Sequence, residues 1–395
     1  RIITETGFGK SFPAIEMKLG STRGTNALLE RKGARAALLI TKGFKDLLSI
    51  GTQQRSDLFA LEIIKESPLY TTVIEVDERI ESDGHILKSL SAEEAENIAK
   101  EIKKSNCDSV AIAFLNSYKN PSHEKFIKDY LIKSQAFVTA SYEISGQIKI
   151  LPRAETAVAN AYLAPIINRY ISNIEQGISR AKIKIMTSAG GLVDALNFYP
   201  KDSLLSGPAG GVVGAATAAS LSGINQIITF DMGGTSTDVS LYDKQYAYRY
   251  ESKVGEVKIL SPSLAIETIA AGGGSICDFD GYKLTVGPHS AGASPGPACY
   301  GSGGPLTITD VNLLLGRADS TYFSIPLYKE KSETALIQLI KKIKTSTGKT
   351  PSRESALESL IQIANEKMAE AIKKVSVQQG HDPAEYTLLS FGGAG

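Results

Sequence analysis

The sequence predicts an α/β protein, and three observations carry that reading. Short apolar runs of strand length alternate with charged, amphipathic helical patterns in the first and last thirds of the chain. The middle third concentrates tight turns and close backbone approaches, since 21 of the 36 glycines fall between Gly190 and Gly316. The 395 residues give room for two or three domains at roughly 100–200 residues each. That is enough chain to bury a core without disulfides or a structural metal.

Residues 36–41 (AALLIT) and 110–115 (VAIAFL) are apolar runs of buried-strand length. Between them Ser91 and Glu94 form a capping-box signature, after which Ala95, Ile98, Ala99 and Ile102 recur at helical spacing. Strand, helix and strand in that order is α/β logic. Pro121-Ser122-His123-Glu124 opens another helix. A long helix follows from Arg153 to about Ala181, and Pro165 is expected to bend or divide it. Residues 183–188 read as a strand, and Ser206-Gly207-Pro208-Ala209-Gly210-Gly211 leads a tightly packed small-residue helix. Residues 226–242 read as strand, glycine turn, strand. Amphipathic helices near residues 332–344 and 352–379 and a strand at 386–391 follow. Internal repeats and low-complexity tracts are not evident. The domain boundary is placed near Arg180, dividing residues 1–180 from 181–395.

Composition narrows the function classes. Forty-three basic against forty-two acidic residues give a net charge of +1, which asks for neither nucleic acid nor an anionic membrane as partner. Three dispersed cysteines, Cys107, Cys277 and Cys299, without a CxxC argue for a reducing compartment. No apolar run approaches a bilayer span and no signal peptide is visible, so a soluble, cytoplasmic protein is expected. The chain starts at Arg1 and stops at Gly395 directly after a strand and a loop signal, and neither end reads as a natural terminus.

Four loops could carry chemistry. The sharpest is Asp231-Met232-Gly233-Gly234-Thr235-Ser236-Thr237-Asp238: an apolar strand delivers an acid, then two glycines, three hydroxyl residues and a second strand. Such a hairpin brings N–H groups and hydroxyls up to a polyphosphate, because glycine has no Cβ to block approach. Asp231 then stands where it can hold a hydrated Mg²⁺, which uses one or two carboxylates plus phosphate oxygens. A plain glycine-turned hairpin needs no such flanking acid and hydroxyls. The SGPAGG segment at 206–211 reads equally as an anion site at a helix N-terminus or as close packing of a helix on a sheet. Ala270-Ala271-Gly272-Gly273-Gly274-Ser275 reads as a backbone contact to nucleotide or substrate, or as a flexible loop. The proline-rich loop at 286–301 reads as rigid, and its Cys299 as a buried, inert thiol rather than a nucleophile.

Several common chemistries find no support. Walker A, strict GxGxxG and GxSxG motifs are absent. His85, His123, His289 and His381 are scattered, without HExxH or clustering with cysteine, so a zinc hydrolase is not indicated.

Taken together these residues resemble the hydantoinase/oxoprolinase family, in particular its A-type, ATP-binding subunit. The resemblance runs in order along essentially the whole chain. It takes in GTNALLERKGA (24–34), TKGF (41–44), EVDERI (75–80), SYKNP (117–121) and NAYL (160–163). It continues through SGPAGG, DMGGTSTD, AGGGSI and SAGASPGPACYGSGG, then Thr309-Asp310, Leu315-Gly316-Arg317 and the final FGGAG. His289 stands where an acidic or small residue is expected, which argues against it as a shared catalytic group.

The resemblance implies two ribonuclease-H-like α/β domains of the actin, hexokinase and heat-shock chaperone ATPase superfamily, with ATP in the cleft between them. It makes DMGGTSTD the second phosphate hairpin and residues 391–395 the start of the adenosine loop. The first, N-terminal phosphate hairpin is then missing, because it would precede Arg1. Asp231 is expected to serve magnesium and reactant positioning. Gly233, Gly234, Thr235 and Ser236 are expected to serve the phosphates, Gly272 and Gly273 the nucleotide or substrate, and Gly392 and Gly393 adenosine.

The implied reaction is ATP-dependent hydrolysis of a cyclic amide such as a hydantoin or 5-oxoproline. The γ-phosphoryl moves to the carbonyl oxygen, and water attacks the resulting imidate phosphate. The implied partner is a B-type subunit, in a hetero-oligomer acting on a small molecule. Two other readings stay open: the ATP-using subunit of an acetone- or acetophenone-type carboxylase, and a truncated, non-catalytic chain that binds a partner.

Overall fold

The computed structural model describes residues 15–54, 58–62, 67–135, 137–178 and 181–395. Contacts divide the chain into two units, residues 1–210 with 248–263 and residues 211–247 with 264–395. This division does not coincide with the sequence boundary at Arg180, a residue that lies outside those described.

In the first unit the elements run β1 (Ile15–Leu19), α1 (Arg23–Leu29), β2 (Ala36–Thr41), β3 (Tyr70–Val76), α2 (Ala92–Ser105), β4 (Ser109–Ala113) and α3 (Ser122–Leu131). Then come β5 (Val138–Ala140), α4 (Ile150–Gly177), β6 (Ala181–Met186) and β7 (Leu192–Asp194). One sheet has the order β3-β2-β4-β5 and is parallel throughout. Every residue of β2 and β4 is buried, which is why both read as unbroken apolar runs rather than alternating ones. Helix α2 starts at the capping box: Ser91 Oγ accepts from the Glu94 N–H at 3.1 Å and the Glu94 carboxylate accepts from the Ser91 N–H at 2.9 Å. Its Ala95, Ile98 and Ile102 are buried, as their spacing predicts. A second sheet, β1-β6-β7, pairs β1 and β6 in parallel and β6 and β7 antiparallel.

Of the two outcomes expected at Pro165, division does not occur: α4 is a single helix of 28 residues that runs through that position. Its burial supplies the reason. Residues Ala157 to Ala164 are buried in the unit's core, and that packing outweighs the missing N–H. Near its start Arg153 is wholly buried, donating to Ser141 Oγ at 3.0 Å, to the Gln147 carbonyl at 3.1 Å and to the Phe114 carbonyl. The equally buried Glu124 accepts from the Phe114 N–H at 2.8 Å, Ser141 Oγ at 2.7 Å and the Tyr142 N–H at 3.1 Å.

The second unit is built on helix α5 (Ser206–Leu221, of which residues 211–221 belong to it) and strands β8 (Gln226–Met232), β9 (Thr237–Asp243) and β10 (Ile266–Ile269). After them come the hairpin β11 (Ser275–Phe279) and β12 (Leu284–Ser290), helices α6 (Ile308–Leu314), α7 (Lys329–Thr347) and α8 (Arg353–Val375), and β13 (Thr387–Phe391). The sheet order is β10-β9-β8-β13, with the first three strands antiparallel and β13 parallel to β8. That is the ribonuclease-H-like arrangement. One sheet face carries Ile228, Phe230, Val239 and Leu241 against Leu336, Leu339, Leu357 and Leu360 of α7 and α8. The other carries Ile227 and Tyr242 against Ala215, Ala216 and Ala219 of α5. Among the described residues no helix is long and apolar enough to cross a membrane.

Candidate active site

Strand β8 carries Asp231 to the end of the second unit's sheet, the chain turns through residues 233–236, and β9 returns. The Gly233 N–H donates to the Ser236 carbonyl at 2.9 Å and closes the turn. Gly234 and Thr235 are exposed; Asp231, Gly233 and Ser236 are half-buried. Among the described residues the N–H groups of Gly234, Thr235 and Ser236 donate to no acceptor, and the Asp231 carboxylate has neither a hydrogen-bond donor nor a cation beside it. Its burial pushes Asp231 above the usual carboxylate range.

The glycine loop after β10 lies backbone to backbone on this hairpin. The Gly273 N–H donates to the Gly233 carbonyl at 3.0 Å and the Gly274 N–H to the Gly234 carbonyl at 2.6 Å. A Cβ on Gly272 would stand 2.6 Å from the Gly233 carbonyl oxygen, and one on Gly274 2.8 Å from that of Gly234. Only glycine lets the two chains approach this closely.

The turn after β13 closes in from the other side. Phe391 pairs in register with Asp231, and the Ala394 N–H donates to the Met232 carbonyl at 2.9 Å. Gly392 has φ +96, and a Cβ there would strike the Asp231 carboxylate and the Met232 carbonyl; Gly393 has open space around it. All nine residues expected from the sequence, Asp231, Gly233, Gly234, Thr235, Ser236, Gly272, Gly273, Gly392 and Gly393, thus meet around one hairpin. Gly211, from the SGPAGG segment, packs there too, its Cβ position 3.2 Å from the Phe391 ring and 3.4 Å from an Asp231 carboxylate oxygen.

Sequence reasoning passed over Asp238, which faces Asp231 across the β8–β9 pair. Counting equal strand lengths outward from the glycine turn would have found it. Burial raises Asp238, the Asp231 charge raises it further, and a hydrogen bond from Thr268 Oγ1 at 2.5 Å works the other way. Ser290 and Thr309, which contact the hairpin and the glycine loop, carry no local signal because they arrive from distant segments.

The proline-rich loop behaves as a fixed structural element. Asp310, wholly buried, accepts from the Ala298 N–H at 3.1 Å, the Cys299 N–H at 2.7 Å, the Thr307 N–H at 2.8 Å and Ser332 Oγ at 2.7 Å. Burial and the Asp310 charge push the Cys299 thiol up to about 12, so it is inert at neutral pH. His289 is exposed.

Among the described residues no group of three or more His, Cys, Asp or Glu could cage a metal. Magnesium needs no cage. It binds through one or two carboxylates together with phosphate oxygens and water, and an unpaired Asp231 opposite Asp238 fits that donor set.

The sheet order and this three-part glycine site define an α/β protein of the actin-like class. The hydantoinase/oxoprolinase family model matches residues 153–395, and that of the hydantoinase/oxoprolinase N-terminal region matches residues 12–134. The chain belongs to the hydantoinase/oxoprolinase family. It is 40% identical to the 5-oxoprolinase of Saccharomyces cerevisiae over 96% of this chain and 33% of that protein. The crystal structure of the ATP-dependent caprolactamase from Pseudomonas jessenii is similar with a TM-score of 0.79 and 32% identity, over 95% of this chain and 56% of its own. The nucleotide-free structure of acetone carboxylase has the same fold, with a TM-score of 0.76 and 24% identity over 99% of this chain and 59% of that one. The chain therefore spans about a third of the length of the 5-oxoprolinase it matches.

Proposed function

We propose that this chain is the ATP-using, A-type part of a cyclic amide hydrolase. The observation that carries the reading is the convergence of an unpaired acid, free hairpin N–H groups and two glycine turns at one sheet end. The likeness to an ATP-dependent caprolactamase and a 5-oxoprolinase supports the lactam as substrate class.

In this reading Gly234, Thr235 and Ser236 receive the phosphates through N–H groups and hydroxyls, while Gly233, whose N–H closes the turn on the Ser236 carbonyl, serves them by keeping a side chain out of the way. Gly272 and Gly273 brace the turn, and Gly392 and Gly393 would serve adenosine. Asp231 holds and orients the reactants. Asp231 would hold magnesium together with the phosphates, and the ion would supply neutralisation of phosphate charge. An unstrained lactam resists water because amide resonance weakens its carbonyl as an electrophile. Attack of the carbonyl oxygen on the γ-phosphorus releases ADP and leaves an imidate phosphate, whose carbon accepts water. The C–N bond then breaks, and hydrolysis of the acyl–phosphate linkage yields phosphate and the opened amino acid. The protein's work is positioning and charge stabilisation. We place a B-type subunit beside the substrate, the complex in the cytoplasm, and the family's two domains at residues 1–180 and 181–395.

Calorimetric titration with Mg·ADP and Mg·ATP tests the nucleotide site. Tight magnesium-dependent binding, weakened roughly tenfold or more by Asp231→Ala, is expected. Absence of binding even with a B-type subunit present would make this a non-catalytic binding chain. Offering the complex a lactam, or bicarbonate with a ketone, separates hydrolysis from carboxylation.

A further inference from the structure

Three backbone layers meet at the hairpin, and their hydrogen bonds fix the direction of its amides. A trans peptide holds its C=O and N–H on opposite sides. The Gly233 carbonyl is taken by the Gly273 N–H, so the Gly234 N–H, in the same peptide unit, points away from the glycine loop. The Gly234 carbonyl is taken by the Gly274 N–H, so the Thr235 N–H points away as well. In an extended strand successive carbonyls alternate sides. Here two in succession are drawn to one loop, which leaves two successive N–H groups facing outward with no acceptor among the described residues. Successive N–H groups on one side make an anion-binding concavity.

The loop that draws them is itself held from behind. The Gly273 carbonyl accepts both the Thr309 N–H at 2.8 Å and Thr309 Oγ1 at 2.9 Å, at the first turn of α6. The Gly274 carbonyl accepts the Ala291 N–H at 2.9 Å. Among the described residues Thr309 makes no hydrogen bond to the hairpin turn, but it grips the middle of the ladder twice.

We infer that Thr309 is a positioning residue: its double grip on Gly273 keeps the 272–274 ladder seated on the hairpin and so keeps the Gly234 and Thr235 N–H groups aimed at a bound phosphate. The inference rests on the reading of this hairpin as a phosphate site. Thr309→Val keeps the shape and the backbone bond and removes only the hydroxyl bond; Thr309→Ser restores it. Gly273→Ala opens the same clamp from the other side, because its Cβ would come 2.9 Å from Thr309 Oγ1 and 3.1 Å from the Ala394 Cβ.

The test is calorimetric titration of the 395-residue chain and its variants with Mg·pyrophosphate, with thermal melting alongside. Thr309→Val and Gly273→Ala are expected to weaken binding roughly three- to tenfold, the size of one net hydrogen bond, while Thr309→Ser binds as the unaltered chain does. Unchanged affinity in Thr309→Val overturns the inference and leaves the phosphate site standing. So does equal weakening in Thr309→Val and Thr309→Ser with a matching drop in melting temperature, which marks a merely structural residue. No binding by the unaltered chain removes the phosphate-site reading, and the inference with it.

Discussion

Asp231 and Asp238 stand directly opposite one another across the β8–β9 pair, at the base of the glycine turn. Residues opposed in this way share a sheet face, so their charges repel. Asp238 is raised by burial first and by the Asp231 charge besides, against the pull of Thr268. Replacing Asp231 by Asn is therefore expected to lower the Asp238 pKa, read as the titration of its carboxyl carbon by NMR. An unmoved titration would show that the two acids do not sense each other.

Gly392 and Gly393 make a matched pair for a stability test. Gly392→Ala forces an L side chain to φ +96 and drives its Cβ into the Met232 carbonyl at 2.5 Å. A loss of about 1–3 kcal/mol is expected from the strained backbone. Gly393→Ala, with nothing within 4 Å of the added atom, should stay within about 0.5 kcal/mol of the parent. Denaturant midpoints of the two variants decide it.

Glu155 on α4 sets a pH dependence. One of its buried carboxylate oxygens has no hydrogen-bond partner among the described residues. Burial chiefly, with the Glu251 charge adding and Lys258 opposing, pushes its pKa to about 7 from an ordinary value of 4.5. Between those values the unfolded chain sheds the proton and the native chain keeps it, so rising pH favours unfolding. Above about 7 both states are ionised and the effect is constant. Glu155→Gln cannot titrate. Its stability relative to the parent should climb from pH 4.5 to 7 and then level off, as measured by urea melts along a pH series.

Arg153 and Glu124 are buried side chains that share Ser141 Oγ and the Phe114 backbone, Glu124 taking its N–H and Arg153 its carbonyl. Arg153→Ala leaves Ser141 Oγ and the Gln147 and Phe114 carbonyls without its donors in a buried site, and about 1–3 kcal/mol of stability should go with them. Arg153→Ala with Glu124→Gln should recover part of that loss in a double-mutant cycle.

Local chemistry made much of this legible beforehand. The Ser91–Glu94 capping box, the AALLIT strand and the acid–glycine–hydroxyl order of residues 231–238 are each set by neighbours a few residues apart, and each formed where expected. The chemistry that escaped is non-local. Pro165 lacks an N–H, yet α4 continues because its flanks are packed into a core that no window of sequence displays. Residues 248–263 join the first unit although the chain on either side belongs to the second, an excursion without a compositional mark. Thr309 and Ser290 reach the glycine site through tertiary packing, and hydroxyl residues of their kind occur throughout the chain.

The parallel pairing of β8 with β13 has a consequence for biosynthesis. Ile227 must find Thr387 and Asp231 must find Phe391, so the sheet stays one strand short until the far end of the unit has left the ribosome. At a translation rate of roughly 5–20 residues per second that wait is on the order of ten seconds. Throughout it β8 shows an open, strongly apolar edge (Ile227, Ile228, Phe230) to the crowded space around the tunnel exit. A nascent chain of this design invites holdase chaperones to shield that edge, and slowing elongation after Met232 should raise the aggregated fraction even though the finished fold is unchanged.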